Sequence, residues 1–393
     1  MSQLLNERWS ETKEALLEGL TGNRRASMGV CLENTRRSLS ESASAGSTSA
    51  GNIATLNRVI LPVIRRVMPT VIANEIIGVQ PMTGPVGQIH TLRVRYADGV
   101  ASGDVVTAGE EALSPFKIAA AYSGNNSATA GADVTSKLEG TPGKRMSIQI
   151  LKTSVEAKSR KLSARWTFEA AQDAQAQQGI DIEAEIMAAL AQEITAEIDQ
   201  EILASLRSLA SIEETYDQAL VSGTATFVGD EHAALAIQIN RVSNLIAQRT
   251  RRGSANWAVI SNQALTILQS ATTSAFARTT EGTFEAPTNT KFVGTLNGAM
   301  RIYVDAYKSD SDDDNQILVG YKGTSEADAA AFYCPYIPLM SSGVVLDPAT
   351  FEPVVGFLTR YGYVELSNTA SSLGNAADYL GKVRITSANV SFK

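Results

Sequence analysis

One stretch of the sequence, residues 166–209, constrains the fold more than any other. Large aliphatic residues occupy every fourth position in its second part: Ile182, Ile186, Leu190, Ile194, Ile198, Ile202 and Leu206. This spacing predicts one amphipathic helix from its N-cap Asp181 to Leu209, about 40 Å long at about 1.5 Å per residue. A shorter helix over residues 169–178 is predicted to precede it, with a hinge at Gly179. We call the longer helix the spine helix, because its buried aliphatic side chains would organise the rest of the fold.

Charge is divided unevenly along this part of the sequence. Residues 166–206 hold nine acidic residues and no Lys or Arg, whereas residues 144–165 hold seven basic residues and one acid. Either both segments present solvated faces, or the acidic face of one subunit meets the basic segment of a neighbouring copy. The second interpretation makes the following residues candidate contacts between subunits: Lys158, Arg160, Lys161, Arg165, Glu183, Glu193 and Glu197.

Length and composition exclude several classes of protein. A chain of 393 residues is too long for one core of usual size, so we expect two or more lobes. A net charge of −7 argues against a protein whose main task is to grip nucleic acid. The two cysteines, Cys31 and Cys334, cannot form a disulfide framework, which favours a reduced, cytoplasmic origin. We expect no signal peptide and no membrane span, because no apolar run is long enough.

The N-terminal part of the chain is predicted to form a module of its own. A helix is predicted over residues 2–20, ended by Gly22. Residues 38–51 are rich in Ser, Ala and Gly, which is typical of a linker. We therefore expect residues 1–41 to be detachable.

Two predicted strands flank a long segment without periodicity. Residues 88–96 alternate apolar and charged side chains, and residues 147–157 form a second strand. The residues between them, 99–143, are rich in Gly, Ala, Ser and Thr. Two strands around so long a segment predict a projecting hairpin arm instead of a core element.

The rest of the chain predicts a mixed lobe of helices and strands. A helix is predicted over residues 232–252, and Ser261 is predicted to cap another. Strands are predicted at residues 257–260, 300–304 and 316–321, and the tail from 354 to 392 is mostly strand-like. Together with the spine helix, these elements predict an α+β fold.

The sequence offers no constellation typical of catalysis, so we expect no enzyme, no cofactor and no metal. Residues 140–144 are similar to a phosphate-binding loop but lack its first glycine and its Ser or Thr. The aspartates at 310, 312 and 314 begin like a calcium loop that lacks its turn glycine and its final Glu. His90, His232 and Cys334 are interpreted as structural residues. A hydrolase or transferase stays open as the weaker alternative.

Seven short motifs resemble, in the same order, segments of the major capsid proteins of T-even-like contractile-tailed phages. They are residues 77–88 (IGVQPMTGPVGQ), 155–162 (VEAKSRKL), 169–173 (EAAQD), 292–298 (FVGTLNG), 319–323 (VGYKG), 332–336 (FYCPY) and 356–362 (GFLTRYG). Residues 4–6 and 16–19 also resemble the N-terminal piece of that family. One motif alone is a weak signal, but the ordered set runs through most of the chain.

This resemblance implies an α+β HK97-like capsid fold with a long spine helix, peripheral and axial domains and an extended hairpin loop. Residues 1–41 would be a scaffold-like propeptide, residues 42–87 an N-terminal arm and residues 88–163 the extended loop. Residues 164–222 and 341–393 would form the peripheral domain, and residues 223–340 the axial domain. We expect the folded insertion of larger family members to be absent, because residues 99–143 are few and poor in large apolar side chains.

The resemblance also implies proteolytic maturation, with a cut after a Glu that stands two residues beyond Leu or Ile. Residues 39–41 (LSE) fit this pattern within the predicted linker, so Glu41 is the favoured site. Glu18 and Glu7 fit the pattern too, but they lie in a predicted helix and are weaker candidates.

The implied function is a shell of many copies arranged as hexamers, with pentamers as a further option, around double-stranded DNA that is not read by sequence. Expected partners are other copies, a scaffold protein and a prohead protease, followed by vertex, portal and decoration proteins, without cofactor or membrane. The expected location is the virion capsid, assembled in the host bacterial cytoplasm. Two alternatives stay open: a paralogous vertex protein forming pentamers, and the shell protein of a cellular nanocompartment.

Overall fold

The computed structural model describes the greater part of the chain. The described residues are 9, 13–17, 20, 22–45, 71–99, 106–109, 112, 122–123, 132, 134–139, 143–178, 182–217, 228–250, 252–270, 276–278, 291–307, 315–324, 328–350, 352–366 and 376–386. They form helices and strands in comparable proportion, and the α+β fold class expected of an HK97-like subunit is confirmed.

The spine helix runs from Ile182 to Leu209, as predicted. A shorter helix, Phe168–Gln178, precedes it, whereas the predicted hinge Gly179 and cap Asp181 lie outside the described residues. The aliphatic stripe is only half-buried up to Leu190, but from Ile194 to Leu206 its members are at most 2% exposed. The reason is geometric, because a step of four residues drifts about 40° per step around a helix with 3.6 residues per turn.

The chain divides into two compact units, each built from three stretches of sequence. Unit 1 comprises residues 1–87, 154–204 and 332–364. Unit 2 comprises residues 88–153, 205–331 and 365–393.

Unit 1 contains a four-stranded sheet. Numbered in chain order, its strands lie side by side as β1 (Gly78–Val79), β11 (Ala331–Leu346), β12 (Pro353–Glu365) and β4 (Lys158–Arg165). β1 is parallel to β11, and β12 is antiparallel to β4 with Thr359 opposite Arg160. Alternate residues of β12 are buried, because successive side chains of a strand point to opposite faces. The short helix α2 (Ala73–Ile76) leads into β1.

Unit 2 contains a mixed seven-stranded sheet. Its order is β5 (Ile212–Asp217), β13 (Leu380–Thr386), β10 (Gln316–Gly320), β6 (Trp257–Ile260), β9 (Met300–Val304), β8 (Lys291–Leu296) and β7 (Phe276–Arg278). The predicted strands at 257–260, 300–304 and 316–321 are confirmed as β6, β9 and β10. Close packing leaves no room at Gly320, where a Cβ atom would clash with the indole ring of Trp257.

Two helices supply the other apolar face of this core. Helix α6 (Val228–Thr250) starts earlier than predicted, and its predicted face of Leu235, Ile239, Val242 and Ile246 is fully buried. Helix α7 (Asn262–Ser270) begins at the predicted cap, where the Ser261 hydroxyl accepts the Ala264 N–H at 3.2 Å. A 3-10 turn, Ala376–Tyr379, leads into β13.

The two strands predicted for the hairpin arm are confirmed, and they pair as a separate two-stranded sheet. Its strands are β2 (Val86–Tyr96) and β3 (Met146–Glu156). Of the residues between them, the structure describes a short helix, α3 (Thr135–Leu138), and a small cluster around Tyr96 and Tyr122. The two tyrosine rings lie 4.5 Å apart, and the Tyr122 hydroxyl donates a hydrogen bond to the Arg145 carbonyl at 2.5 Å.

The N-terminal region differs from its prediction. A helix, α1, runs from Gly22 to Ala45, so the predicted linker is wrong for residues 38–45. The physical reason is cooperativity: once packing fixes the first turns of a helix, extending it through Ser and Ala costs little. Of the helix predicted over 2–20, residues 13–17 are helical, and most of the others lie outside the described residues.

Two further strands bear on the expected domain boundaries. β4 contains the expected boundary at residue 163 and pairs within the sheet of unit 1. β13, in the stretch assigned to the peripheral domain, pairs with β5 and β10 in unit 2.

β11 has no counterpart among the predicted strands, since Pro335 and Pro338 interrupt its pattern and lack an N–H group.

Candidate subunit-contact surfaces

The arm presents an uncovered apolar face. Met146, Ile148 and Ile150 alternate along β3 and therefore lie on one face of the strand. They are 53%, 68% and 66% exposed. Ser147 and Gln149 alternate with them and are exposed as well. Neighbouring large apolar side chains left open in this way mark a contact surface.

A second apolar surface lies at the end of β11. Val344, Val345 and Leu346 are consecutive and exposed by 42%, 57% and 49%. Gly343, directly before them, has a φ of +71°, a backbone conformation that a residue with a side chain adopts only with strain. Since consecutive strand residues point to opposite faces, neither face of β11 is covered at this end.

Two of the candidate contact residues meet within one chain. Arg160 on β4 donates to Glu197 at 2.6 Å and to Glu201 at 2.5 Å, both on the spine helix one turn apart. Its Nε donates to the Tyr361 hydroxyl on β12 at 2.6 Å, and Tyr361 in turn donates to Glu201. We call these four residues the Arg160 cluster. It joins the spine helix to two strands of the unit 1 sheet.

The cluster shifts the pKa values of Glu201 and Tyr361. Burial alone would raise the pKa of Glu201, but hydrogen bonds from Tyr361 and Arg160 outweigh it and hold that pKa below its usual range. Burial and the bond to Glu201 raise the pKa of Tyr361, so its hydroxyl stays a donor. The cluster is therefore a charge-assisted network with Arg160 and Glu201 ionised.

The remaining candidate residues are open to solvent. Lys158, Lys161 and Arg165 are exposed on β4, as are Glu183 and Glu193 on the spine helix. Arg165 lies 3.8 Å from Glu352, with most of its side chain exposed. Lys161 borders a groove of about 420 Å³ that Ser342 and Phe357 also line. The structure thus brings Arg160 and Glu197 together and leaves the other five candidates exposed to solvent.

One buried ion pair was missed by the sequence analysis. Arg207, in the last turn of the spine helix, lies 2.9 Å from Asp305, which follows β9. Asp305 is fully buried and also accepts the Tyr307 N–H at 3.2 Å. The two residues lie so far apart in sequence that no local pattern predicts their contact.

Cys31, Cys334 and His232 are all buried in the fold. Burial raises the pKa values of the Cys31 and Cys334 thiols to about 12. His232 Nδ1 lies 2.5 Å from the Ser270 hydroxyl, which also donates to a carbonyl of its own helix. Among the described residues, no three His, Cys, Asp or Glu residues are grouped to hold a metal ion, and no helix is long and apolar enough to cross a membrane. The aspartates at 310, 312 and 314 lie outside those residues.

The structure describes one of the candidate cleavage sites. Glu41 lies within helix α1, four residues before its end at Ala45, and not in a linker as predicted. Glu18 and Glu7 lie outside the described residues, and so does the part of the predicted linker after Ala45.

Comparison with known proteins gives a consistent result. The family described as Major capsid protein Gp23 matches residues 53–385. The major capsid protein of Vibrio phage KVP40 is 28% identical over an alignment covering 84% of this chain and 80% of the relative. That of Enterobacteria phage T4 is 29% identical, covering 81% and 76%. A solved structure from Mycobacterium phage Bobi shares 12% identity, covers 80% of this chain and 90% of the other, and has a TM-score of 0.48.

Proposed function

The chain belongs to the Gp23 family of major capsid proteins, and on that premise we propose that it builds the phage head as hexamers and pentamers around double-stranded DNA. As a member, it is a structural protein of the virion capsid that assembles with copies of itself, and it is not an enzyme. Hexamers suit such a shell, because closed rings of one subunit repeat the same contacts.

The observation that carries the proposed assembly is the apolar face of the arm. Met146, Ile148 and Ile150 would be covered by a neighbouring copy in the capsomer. Burying one exposed Ile contributes about 1.5–3 kcal/mol at most, so three such residues per arm make a weak but repeated contact. A shell assembles reversibly from contacts of this kind, because each is modest and their number is large.

Charge supplies the second proposed contact. Lys158, Lys161 and Arg165 are exposed on β4, and Glu193 is exposed on the spine helix. We assign the pairing between neighbours to these basic residues and to Glu193. Arg160 and Glu197 already pair within the chain, so their proposed contribution is to hold the spine helix in place for its neighbour.

Maturation belongs to the same proposal. A scaffold protein and a prohead protease act during assembly in the host cytoplasm, with a cut after Glu41, and vertex, portal and decoration proteins complete the head. The peripheral and axial assignments of the domains stay predictions. Sequencing the coat N-terminus from purified virions tests the cut, and a start at Met1 or Ser2 would rule it out.

The assembly test is a pair of variants on β3. Ile150→Asp places a charge on the apolar face of the arm, and Gln149→Asp places the same charge on the opposite, exposed face. We expect overexpressed wild type and Gln149→Asp to form tubes, sheets or shells in electron micrographs, and Ile150→Asp to stay as small oligomers. Shells of normal yield from Ile150→Asp would show that the arm is not a contact.

The vertex alternative has its own test. A vertex protein would be present in few copies per particle, at the pentameric positions only, whereas a major capsid protein dominates the particle mass. Quantitative mass spectrometry of virions separates the two by copy number.

A further inference from the structure

Helix α1 is part of the interior of unit 1. Met28, Cys31 and Leu32 are between 0% and 2% exposed. They lie on one face of the helix, since residues three and four apart are neighbours on a helix surface. The opposite side is open, with Ala26 exposed. A segment attached only by its chain connection would not bury its side chains so completely.

Asn34 gives this contact polar specificity. Its amide donates to the Met82 carbonyl at 2.8 Å and to the Tyr336 carbonyl at 2.9 Å. Both acceptors lie just beyond the β1–β11 ladder, where the Met82 N–H bonds the Pro335 carbonyl at 3.0 Å. One side chain thus satisfies two carbonyls from distant parts of unit 1. Without it, a buried carbonyl at Met82 and a part-buried carbonyl at Tyr336 would each lose this donor.

Charged contacts flank the apolar face. Arg24 pairs with Glu75 on helix α2. Glu33 accepts from Trp9 Nε1 at 3.2 Å and from Lys13 at 3.4 Å, which ties the first helical piece to α1. Burial alone would raise the pKa of Glu33, but these two hydrogen bonds outweigh it and lower that pKa. The contacts therefore extend from residue 9 to residue 34, all on the N-terminal side of Glu41.

We propose that the segment ending at Glu41 is a built-in helical ligand of unit 1, and that it stays bound in its groove after the chain is cut there. The natural occurrence of that cut rests on the proposed function. Apolar anchors at Met28, Cys31 and Leu32 fill the groove, and the Asn34 amide fixes the register. A covalent link beyond Ala45 strengthens this contact only by raising the effective concentration of the helix near its groove. Departure of the fragment is then a second step, one that needs the groove to open or a competing segment to replace the helix.

The test uses the full chain with a recognition sequence for a site-specific protease inserted within residues 46–51. The purified protein is cut and passed over a size-exclusion column without denaturant. We expect the N-terminal fragment to elute with the rest of the chain and to separate only in denaturant. Immediate separation without denaturant would overturn the proposal.

This cut is independent of the phage protease, so the two proposals fail separately. If virion coat protein starts at residue 1 or 2, the natural cut at Glu41 is wrong, and the engineered cut still measures whether the segment stays bound. If the coat is cut and the engineered fragment separates at once, the built-in ligand is wrong and maturation stands.

The thiols provide a second readout. Cys31 lies in the N-terminal fragment and Cys334 in the other, so mass spectrometry assigns a maleimide label to each without further variants. We expect Cys31 to be labelled no faster after the cut than before it. Labelling of Cys31 at the rate of a free thiol straight after the cut would contradict the proposal.

A matched pair of variants locates the binding contact. Asn34→Ala should speed Cys31 labelling in the cut protein by about ten-fold or more, because the Met82 and Tyr336 carbonyls lose this donor. Arg25→Ala removes an exposed side chain of the same helix, which pairs with Glu14 at 4.0 Å. We expect it to change the rate by less than about two-fold. Equal rates in the two variants would refute the assigned register, and elution of the wild-type fragment decides retention even if Asn34→Ala does not fold.

Discussion

The buried pair of Arg207 and Asp305, both in unit 2, allows a quantitative test of how the last turn of the spine helix is held. Arg207→Met keeps most of the volume of the side chain and removes its charge. The Asp305 carboxylate then stays fully buried, with the Tyr307 N–H as the hydrogen bond on its other oxygen. Because losing the Arg207 cation from a buried carboxylate is strongly unfavourable, the variant should be much less stable than the wild type.

The expected magnitude follows from the burial of both groups. Breaking a buried ion pair by removing one partner costs about 3–5 kcal/mol. For folded units of 150–250 residues, each kcal/mol lowers Tm by about 2–4 °C, so we expect a fall of about 6–20 °C. The double variant Arg207→Met/Asp305→Asn also removes the charge of Asp305, and should regain more than half of the lost free energy of unfolding.

The assay is thermal unfolding of the unassembled chain, followed by circular dichroism at neutral pH. Arg241→Met is the control, because Arg241 lies 3.2 Å from Glu214 but its side chain is 63% exposed. A pair this open contributes less than about 1 kcal/mol, so its Tm should hardly change. If Arg207→Met melted within 2 °C of the control, or if the double variant lost the sum of both single effects, the pair would not stabilise the unit as described.

Three further predictions concern other parts of the molecule. Glu201 has a folded-state pKa below the ordinary value of about 4.3, so its contribution to stability is present above that value and is lost as pH falls through the folded-state pKa. When Tm is measured against pH, it should therefore fall less steeply below about pH 4.3 in Glu201→Gln than in the wild type. The same dependence of Tm on pH in both proteins would contradict the assignment. Gly320→Ala should destabilise unit 2 by about 1–3 kcal/mol and change the fluorescence of Trp257, since the added methyl group meets its ring; an unchanged spectrum and urea midpoint would argue against this packing. Lys161→Glu and Glu193→Lys should each reduce assembly yield measured by light scattering, and the combined swap should restore part of it; no recovery would exclude a direct pairing between neighbours.

The features that the sequence predicts well are those with a local period. The spine helix and the arm strands have side-chain spacings that depend on near neighbours alone, so their limits match the structure within one or two residues. The Ser261 cap is likewise a contact between residues close in sequence.

The features that the sequence does not predict depend on distant partners. Arg160 was assigned to a neighbouring copy by its charge alone, but its position opposite Thr359 in the sheet places it beside Glu197 and Glu201. Helix α1 carries Asn34 on its buried side, so its pattern is weakly amphipathic and gave no sign of burial. In both cases the decisive contact spans elements that only the folded topology brings together.

The interleaved order of unit 1 has a consequence for the timing of synthesis. Gly78 on β1 lies opposite Phe332 on β11, and β4 pairs with β12 from the same late stretch of the chain. A ribosome releases the N-terminal residues first, so the early strands wait for most of translation before their partners emerge. Nascent chains on one messenger stand close together, where premature polymerisation would be easiest. A subunit whose sheet closes only once residues 331–365 have emerged keeps its tiling surfaces incomplete through the earlier part of its synthesis.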